Sequence, residues 1–286
     1  MNSKGSELTV GSLRIVATPI GNLADISSRA LDILAQVDVV FAEDTRHSRK
    51  LFNHYGISTA LKSLYSQNEK GRCKQVVAIL EEGKSVAYIS DAGTPAVSDP
   101  GSLLVNSVIE AGHLVRPVAG PSALAAGLSV CGFMESSANT LFLGFLPIKG
   151  SKRRDVMEQI AKHKGLVVLY EGPHRLLKTL DDLLQIHGVD RALCVCRELS
   201  KIHEEIIRTT LVEAAETLAQ KVKGEFTLVL GPHEEPKKMR ENKEIEAKLQ
   251  QLLKAGLSRR DAAKALAILE DIPKKELYRL QQNVSP

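Results

Sequence analysis

The stretch Val86-Ala87-Tyr88-Ile89-Ser90-Asp91-Ala92-Gly93-Thr94-Pro95-Ala96-Val97-Ser98-Asp99-Pro100-Gly101 decides how this chain is read. Val86 to Ile89 is short, apolar and introduced by Gly83-Lys84-Ser85, the pattern of a buried strand. Hydrophobicity then stops. Ser90, Asp91, Gly93, Thr94, Pro95, Ser98, Asp99, Pro100 and Gly101 form a long, turn-rich loop. A helix is predicted from about Ser102, with Pro100 as its early-turn proline. In an open α/β sheet, ligands sit outside the carboxyl ends of the strands, where such loops lie. Gly93 lets a ligand approach the main chain, and Asp91 supplies an acceptor. A plain strand-to-helix connection needs neither this length nor this polarity.

The same unit recurs on both sides of that stretch. Strands are predicted at 13–17, 38–42 and 114–117, with helices at 28–36, 72–82, 102–111 and 121–130. A helix after residue 44 is capped by Asp44 or Thr45. From about Asn139 the pattern starts again. Strands are predicted at 140–145, 166–170, 191–197, 205–208 and 226–230, with helices at 155–163, 176–186 and 211–222. Residues 147–154 read as a basic connection. A linker rich in Glu, Pro and Lys follows at 232–238, and beyond it the pattern is wholly helical, at 241–255, 259–270 and 273–282. Ser258 and Asp261 make a capping-box-like start to the second of these helices. The expected fold is α/β: two α/β domains with mostly parallel sheets, at 1–130 and 131–232, plus a small helical, helix-turn-helix-like module at 237–286.

Composition narrows the function classes. The 286 residues are 43% hydrophobic and 25% charged, enough for a sizeable core, and no apolar run approaches a membrane span. Met1 to Thr9 is polar and lacks the apolar centre of a signal peptide, so a cytoplasmic location is expected. Cys73, Cys131, Cys194 and Cys196 fit neither a zinc site nor a redox pair and are expected to be reduced core residues. Cys194 and Cys196 are expected on opposite faces of their strand. The net charge of +4 is uneven: twelve Lys or Arg against seven Asp or Glu fall in residues 237–286, so the basic excess lies there. Such a tail points to a nucleic-acid contact or to a solvated helical surface.

No glycine-rich dinucleotide or nucleotide-triphosphate fingerprint is present, and no metalloprotease, zinc-spacing or nucleophile-elbow motif. What remains is a set of polar loops at strand ends: 19–22, 43–47, 63–68, 91–100, 119–123 and 171–175. They offer small residues and main-chain amides, which suits a sizeable polar cofactor wedged between two domains.

Six segments carry a family likeness. They are Val16-Ala17-Thr18-Pro19-Ile20-Gly21-Asn22-Leu23, Ala42-Glu43-Asp44-Thr45-Arg46, Ser90-Asp91-Ala92-Gly93-Thr94-Pro95, Ala119-Gly120-Pro121-Ser122-Ala123, Phe142-Leu143-Gly144-Phe145-Leu146-Pro147 and Tyr170-Glu171-Gly172-Pro173-His174-Arg175. In this order the chain resembles the tetrapyrrole methylase family, in its branch that acts on ribosomal RNA. The resemblance implies S-adenosylmethionine as methyl donor, a homodimer, and 2′-O-methylation of a cytidine in the decoding region of small-subunit (16S) ribosomal RNA, within the assembled small subunit. It implies that Pro19, Asp91, Ala92, Gly93, Val97, Ser122, Ala123, Tyr170 and Thr227 bind the cofactor. The family's Gly-Asp-Pro loop here reads Ser90-Asp91-Ala92, so the acid stays while the flanking Gly and Pro do not.

Methyl transfer to a hydroxyl needs positioning and a route for the departing proton. Asp44, His47, Glu171 and His174 are the candidate bases, and Asp44, Arg46, Glu171 and His174 the candidate catalytic set. Arg46, Arg49, Lys50, Lys149, Lys152, Arg153 and Arg154 form a candidate phosphate-binding patch. No metal is expected. The rival expectations are methylation of a tetrapyrrole carbon, and an RNA-binding protein without catalysis.

Overall fold

The computed structural model describes residues 10–133, 139–187, 191–219, 222–232 and 237–269. A first sheet contains β1 (Ser12–Val16), β2 (Val39–Ala42), β3 (Leu61–Ser63), β4 (Val86–Ile89) and β5 (Leu114–Val118) in the order β3-β2-β4-β1-β5. Every pairing is parallel. Parallel neighbours cannot be joined by a hairpin, so helices carry the crossovers: α1 (Ser28–Gln36), α2 (Thr45–Tyr55), α3 (Glu69–Glu81) and α4 (Ser102–Glu110). β4 is the middle strand and all four of its residues are buried. One apolar layer holds Ile33, Phe52 and Val40; the other holds Tyr88, Val76 and Leu104.

Helix ends explain where the loops begin. The Ser27 side chain accepts from the Ala30 N–H and starts α1, and Asp44 accepts from the Arg46 N–H and starts α2. Gly56, at φ 67°, closes α2 in the left-handed conformation. α4 starts at Ser102 with Gly101 as its cap, so Pro100 precedes the helix rather than lying in its first turn. The N–H groups of Gly101 and Leu104 donate to one carboxylate oxygen of Glu69, on α3.

A second sheet contains β6 (Thr140–Phe145), β7 (Leu166–Glu171), β8 (Ala192–Arg197), β9 (Glu205–Thr210) and β10 (Phe226–Leu230) in the order β6-β7-β10-β8-β9. The α/β class holds, but for this sheet the expectation of mostly parallel strands is corrected. Only β6 and β7 run parallel; β10 is antiparallel to β7 and β8, and β8 to β9. The cause is chain length. β8 and β9 are joined by a short turn, too short for the crossover that parallel strands require. α6 (Ser151–Lys162), α7 (Pro173–His187) and α8 (Leu211–Leu218) pack this sheet around Leu169, Leu176, Leu193 and Leu228.

α5 (Ala123–Val130) links the sheets and lies on β10. Gly127 makes that approach possible: a Cβ there would sit 2.9 Å from Thr227 Cγ2. Cys194 and Cys196 share one face, with sulfurs 3.8 Å apart and packed near Cys131 and Val229. Strand side chains alternate with a period of two, so residues two apart point the same way. That corrects the expectation of opposite faces; all four cysteines are free and buried.

α6 begins earlier than the periodicity predicted, so Lys152, Arg153 and Arg154 are helical. Arg153 is buried, and its guanidinium donates to Asp182, Thr179 and the Pro147 carbonyl. It is committed to the fold and leaves the phosphate patch.

The chain divides into two compact units, Met1–Pro232 and His233–Pro286. The second unit holds α9 (Lys237–Lys254) and α10 (Arg259–Leu269) with a core of Leu249, Ala262, Ala263 and Leu266. The Asp261 N–H donates to Ser258 Oγ at the start of α10, as the capping pattern predicts. The helix predicted from Pro273 lies outside the described residues. Among the described residues, no helix is long and apolar enough to cross a membrane.

Candidate active site

β1 and β4 are neighbours whose next strands lie on opposite sides of the pair, β2 beyond β4 and β5 beyond β1. This is the topological switch point of the sheet, where loops part and leave a crevice. The two loops are stitched together at their roots. Thr18 N–H donates to the Gly93 carbonyl at 2.8 Å and Gly93 N–H returns the bond at 3.0 Å. The Thr94 hydroxyl donates to the Pro121 carbonyl, tying in the loop after β5. Within the β4 loop, Ala96 and Ser98 take positive φ values of 65° and 73°. Non-glycine residues reach that region only at a conformational cost, which the surrounding contacts must offset.

The crevice is a cavity of about 280 Å3 lined by both sheets. From the first come Ile20, Glu43, residues 91–94, Val97 and Asp99 of the β4 loop, Ser122 and Ala123; from the second come Phe145, Tyr170, Cys196, Leu199, Glu225 and Thr227. Tyr170 spans the join. Its hydroxyl oxygen accepts from the Leu124 N–H at 2.9 Å, at the start of α5, and Phe142 and Phe145 meet its ring edge-on. Burial pushes the Tyr170 phenol above its usual range.

The cavity is acidic. Burial raises the Glu43 carboxyl above the ordinary range, and nearby Asp99 and Asp91 raise it further. Asp99 is raised by burial and then by Asp91. Carboxylates crowded this way lower their shared cost when a cation enters.

A second cavity, of about 520 Å3, adjoins the first. Ile20, Asp91, Ala92 and Glu225 line both.

The tetrapyrrole methylase model matches residues 12–215, most of the chain. The chain belongs to the tetrapyrrole methylase family. It is 41% identical over 275 residues to a ribosomal RNA small subunit methyltransferase I of Synechocystis, covering 95% of this chain and 97% of that one. The protein of the same name from Thermotoga maritima is 44% identical over 226 residues, which span 79% of this chain and 100% of its own. A crystal structure of uroporphyrin-III C-methyltransferase from Thermus thermophilus superposes with a TM-score of 0.56 at 19% identity, covering 77% of this chain and 94% of that one. That likeness is one of fold.

Eight of the nine residues assigned to the cofactor by family resemblance line the first cavity: Asp91, Ala92, Gly93, Val97, Ser122, Ala123, Tyr170 and Thr227. The ninth, Pro19, lines the second cavity. The four expected catalytic side chains line neither cavity. Asp44 caps α2 and pairs with Arg46 at 3.0 Å, and bonds from the Arg46 side chain and main chain hold its carboxyl down at about 2. Arg46 is 90% exposed. Both stand beside the cavities without lining them. Glu171 is buried, with one carboxylate oxygen accepting from the Gly172 N–H and the other from the Thr179 hydroxyl. His174 is exposed on α7 and lines neither cavity.

Glu43, Asp99, Phe145 and Glu225 also line the first cavity. The first three stand in loops or segments that the sequence singles out without assigning them a role, and Glu225 stands in none. Glu43 stands in the Ala42–Arg46 motif, immediately before Asp44.

The raised carboxyls predict a pH dependence. For each, the folded state holds its proton to a higher pH than the unfolded chain does. Folded protein therefore binds more protons in that window, and stability falls as pH rises from the ordinary carboxylate range, about 4, through the raised values. Glu43→Gln and Asp99→Asn should each raise the melting temperature of the ligand-free protein at neutral pH. The gain should vanish below about pH 4, where both carboxyls are protonated in either state. Melting curves across pH check it, and a gain that persists in acid would remove charge as its cause.

Proposed function

We propose that this protein transfers a methyl group from S-adenosylmethionine to small-subunit ribosomal RNA, at the ribose 2′-hydroxyl of a cytidine in the decoding region. The observation that carries this reading is the acid-lined cavity at the switch point, in a chain about 40% identical over nearly its whole length to a ribosomal RNA small subunit methyltransferase I. We further propose a cytoplasmic homodimer acting on the assembled small subunit, built from lobes at 1–130 and 131–232 and a basic tail at 237–286.

The residues present fit the donor. Glu43, Asp91 and Asp99 suit a cation, the loop at Ser122 and Ala123 offers main-chain donors at the start of α5, and Phe145, Tyr170 and Thr227 offer a mixed aromatic and polar wall. When bound, the donor supplies a methyl group on a positive sulfonium, whose charge is lost as the methyl moves to oxygen. The chain's task is then to align an acceptor hydroxyl with that methyl and exclude water. The hydroxyl proton leaves toward a carboxylate bordering both cavities; of the two so placed, Glu225 is paired with Lys201, and Asp91 takes the role. Arg46, held by Asp44 in a fork of two bonds, is assigned to an RNA phosphate outside the pocket. Glu171 receives a structural role, with Thr179 and Arg175.

Transfer of labelled methyl to naked small-subunit RNA and to assembled small subunits tests the reading. Label on one cytidine ribose, with the chain resistant to alkaline cleavage at that bond, is expected. Label on a porphyrinogen carbon and none on RNA would replace it. In the same assay, ending the chain at Pro232 should leave donor binding intact and make the salt dependence of RNA binding shallower, because fewer counterions are released. An unchanged salt slope would make the tail a structural element.

A further inference from the structure

The two adjoining cavities differ in charge. The first is lined by four acids, Glu43, Asp91, Asp99 and Glu225, and by no Lys, Arg or His. The second shares Asp91 and Glu225 but adds His47, Lys50 and Lys201. His47 and Lys50 are exposed on the first turns of α2. Among the described residues, Lys50 has no ion-pair partner; Lys201 is paired with Glu198 and Glu225. Ile20, Asp91, Ala92 and Glu225 line both cavities. Ligands in the two cavities would therefore meet beside these shared residues.

The second cavity also has a built roof. The turn between β8 and β9 holds Glu198 and Ser200 at φ 52° and 64° and lays Lys201 over the loop after β1. Gly21 permits this approach: a Cβ there would lie 2.5 Å from Lys201 Cγ and 2.7 Å from the Leu199 carbonyl oxygen. Lys201 is fixed by 2.8 and 2.9 Å bonds to Glu198 and Glu225. Thr18, Pro19, Leu23 and Leu51 supply a floor of small and apolar groups.

We propose that this second cavity is the acceptor subsite, which receives one ribonucleotide drawn out of the RNA, with Lys50 on its phosphate and His47 on its sugar or base edge. The inference rests on the methyltransferase reading and adds the pocket and side chains that hold the acceptor. An acid-lined cavity suits a sulfonium, and one that adds the lysine Lys50 and the imidazole of His47 at its edge suits a ribose phosphate. Transfer requires the two ligands to meet in line, and the residues common to both linings mark where they would. A volume of about 520 Å3 accommodates a nucleotide-sized ligand. Drawing a base out of its stack is unfavourable, and a formed pocket with a cation at its edge is the type of site that offsets it.

His47→Ala, Lys50→Ala and the double variant test this in the full chain, with Lys178→Ala as an exposed lysine outside both cavities. Both altered side chains are exposed, so folding should survive; melting curves verify it. For the double variant, KM for small-subunit RNA should rise at least about tenfold while calorimetric affinity for S-adenosylmethionine stays within about twofold. Lys178→Ala should match the unchanged protein. Three results would overturn the subsite: an unaltered KM in the double variant, an equal rise from Lys178→Ala, or lost donor affinity with unaltered KM. In each of these the unchanged protein still methylates RNA, so the methyltransferase reading stands. If the unchanged protein neither binds the donor nor methylates RNA, that reading fails and takes the subsite with it. Variants impaired only toward a porphyrinogen would give the cavity to a tetrapyrrole carboxylate instead.

Discussion

Asp91→Ala is expected to weaken S-adenosylmethionine binding by at least about thirtyfold, with the protein still folded, because truncating one side of a partly desolvated, hydrogen-bonded charge contact costs about 2–5 kcal/mol. Asp91 follows the central strand at the switch point and lines both cavities. Its Oδ1 accepts from the Asp44 N–H at 3.0 Å, which fixes the carboxylate and joins the β4 loop to the start of α2. Stability should change little. The lost bond costs about 1 kcal/mol, and removing the charge relieves Glu43 and Asp99, both of which Asp91 pushes up. Asp91→Asn separates the two contributions, since the amide oxygen can still accept from Asp44. If charge dominates, the amide variant binds the donor nearly as poorly as the alanine variant. Titration calorimetry on both, beside melting curves, reads the result, and donor affinity equal to that of the unchanged protein would remove Asp91 from the site.

The location of this residue was legible because the signal at Val86–Ile89 is abrupt. Four apolar residues stop at Ser90, and so short a run between turn-rich segments fits a buried parallel strand with a ligand-side loop. The sense of the second sheet was less legible. The segments at β8 and β9 read as strands, but period and composition do not record direction; the short turn at 198–204 does, through the absence of room for a crossover. The site divides the same way. Of the eight expected cofactor residues that line the cavity, Asp91, Ala92, Gly93, Val97, Ser122 and Ala123 stand in loops that the parallel sheet gathers at one edge, while Tyr170 and Thr227 come from β7 and β10 of the second sheet. Glu43 and Asp44 show what sequence leaves open. They are adjacent acids where β2 ends, and successive side chains there diverge, so one faces the cavity and the other caps α2. A shift of one residue at the strand end would exchange their roles. Glu225 and Phe145 reach the cavity only because the second sheet is folded against the first, which no local pattern encodes.

Gly144→Ala tests that closure from the opposite wall. β6 carries an irregularity between Phe142 and Gly144, and Gly144 sits there at φ 56°, a conformation that costs an alanine about 1–2 kcal/mol. The same glycine faces the strained part of the β4 loop. A Cβ on it would run into Ser98 Oγ and lie 3.0 Å from Ser98 Cβ. Rotating the Ser98 hydroxyl away would relieve the first contact and leave the second, so the loop itself must retreat. Overpacking of this kind adds about 1–3 kcal/mol. The melting temperature should fall by about 5 °C or more. Because Val97 and Asp99 flank Ser98 and line the cavity, donor affinity should fall with it, by at least about tenfold. Ser98→Gly removes the facing Cβ and suits the positive φ at that position. In the Gly144→Ala background it should restore donor affinity to within about threefold while part of the stability loss, the cost at residue 144 itself, remains. Gly172→Ala is the control, since no atom lies within 4 Å of its added Cβ and its φ is not positive. A double variant as weak toward the donor as Gly144→Ala alone would show that the Ser98 contact does not set the cavity, and that the effect of residue 144 runs through β6 and the Phe145 it carries.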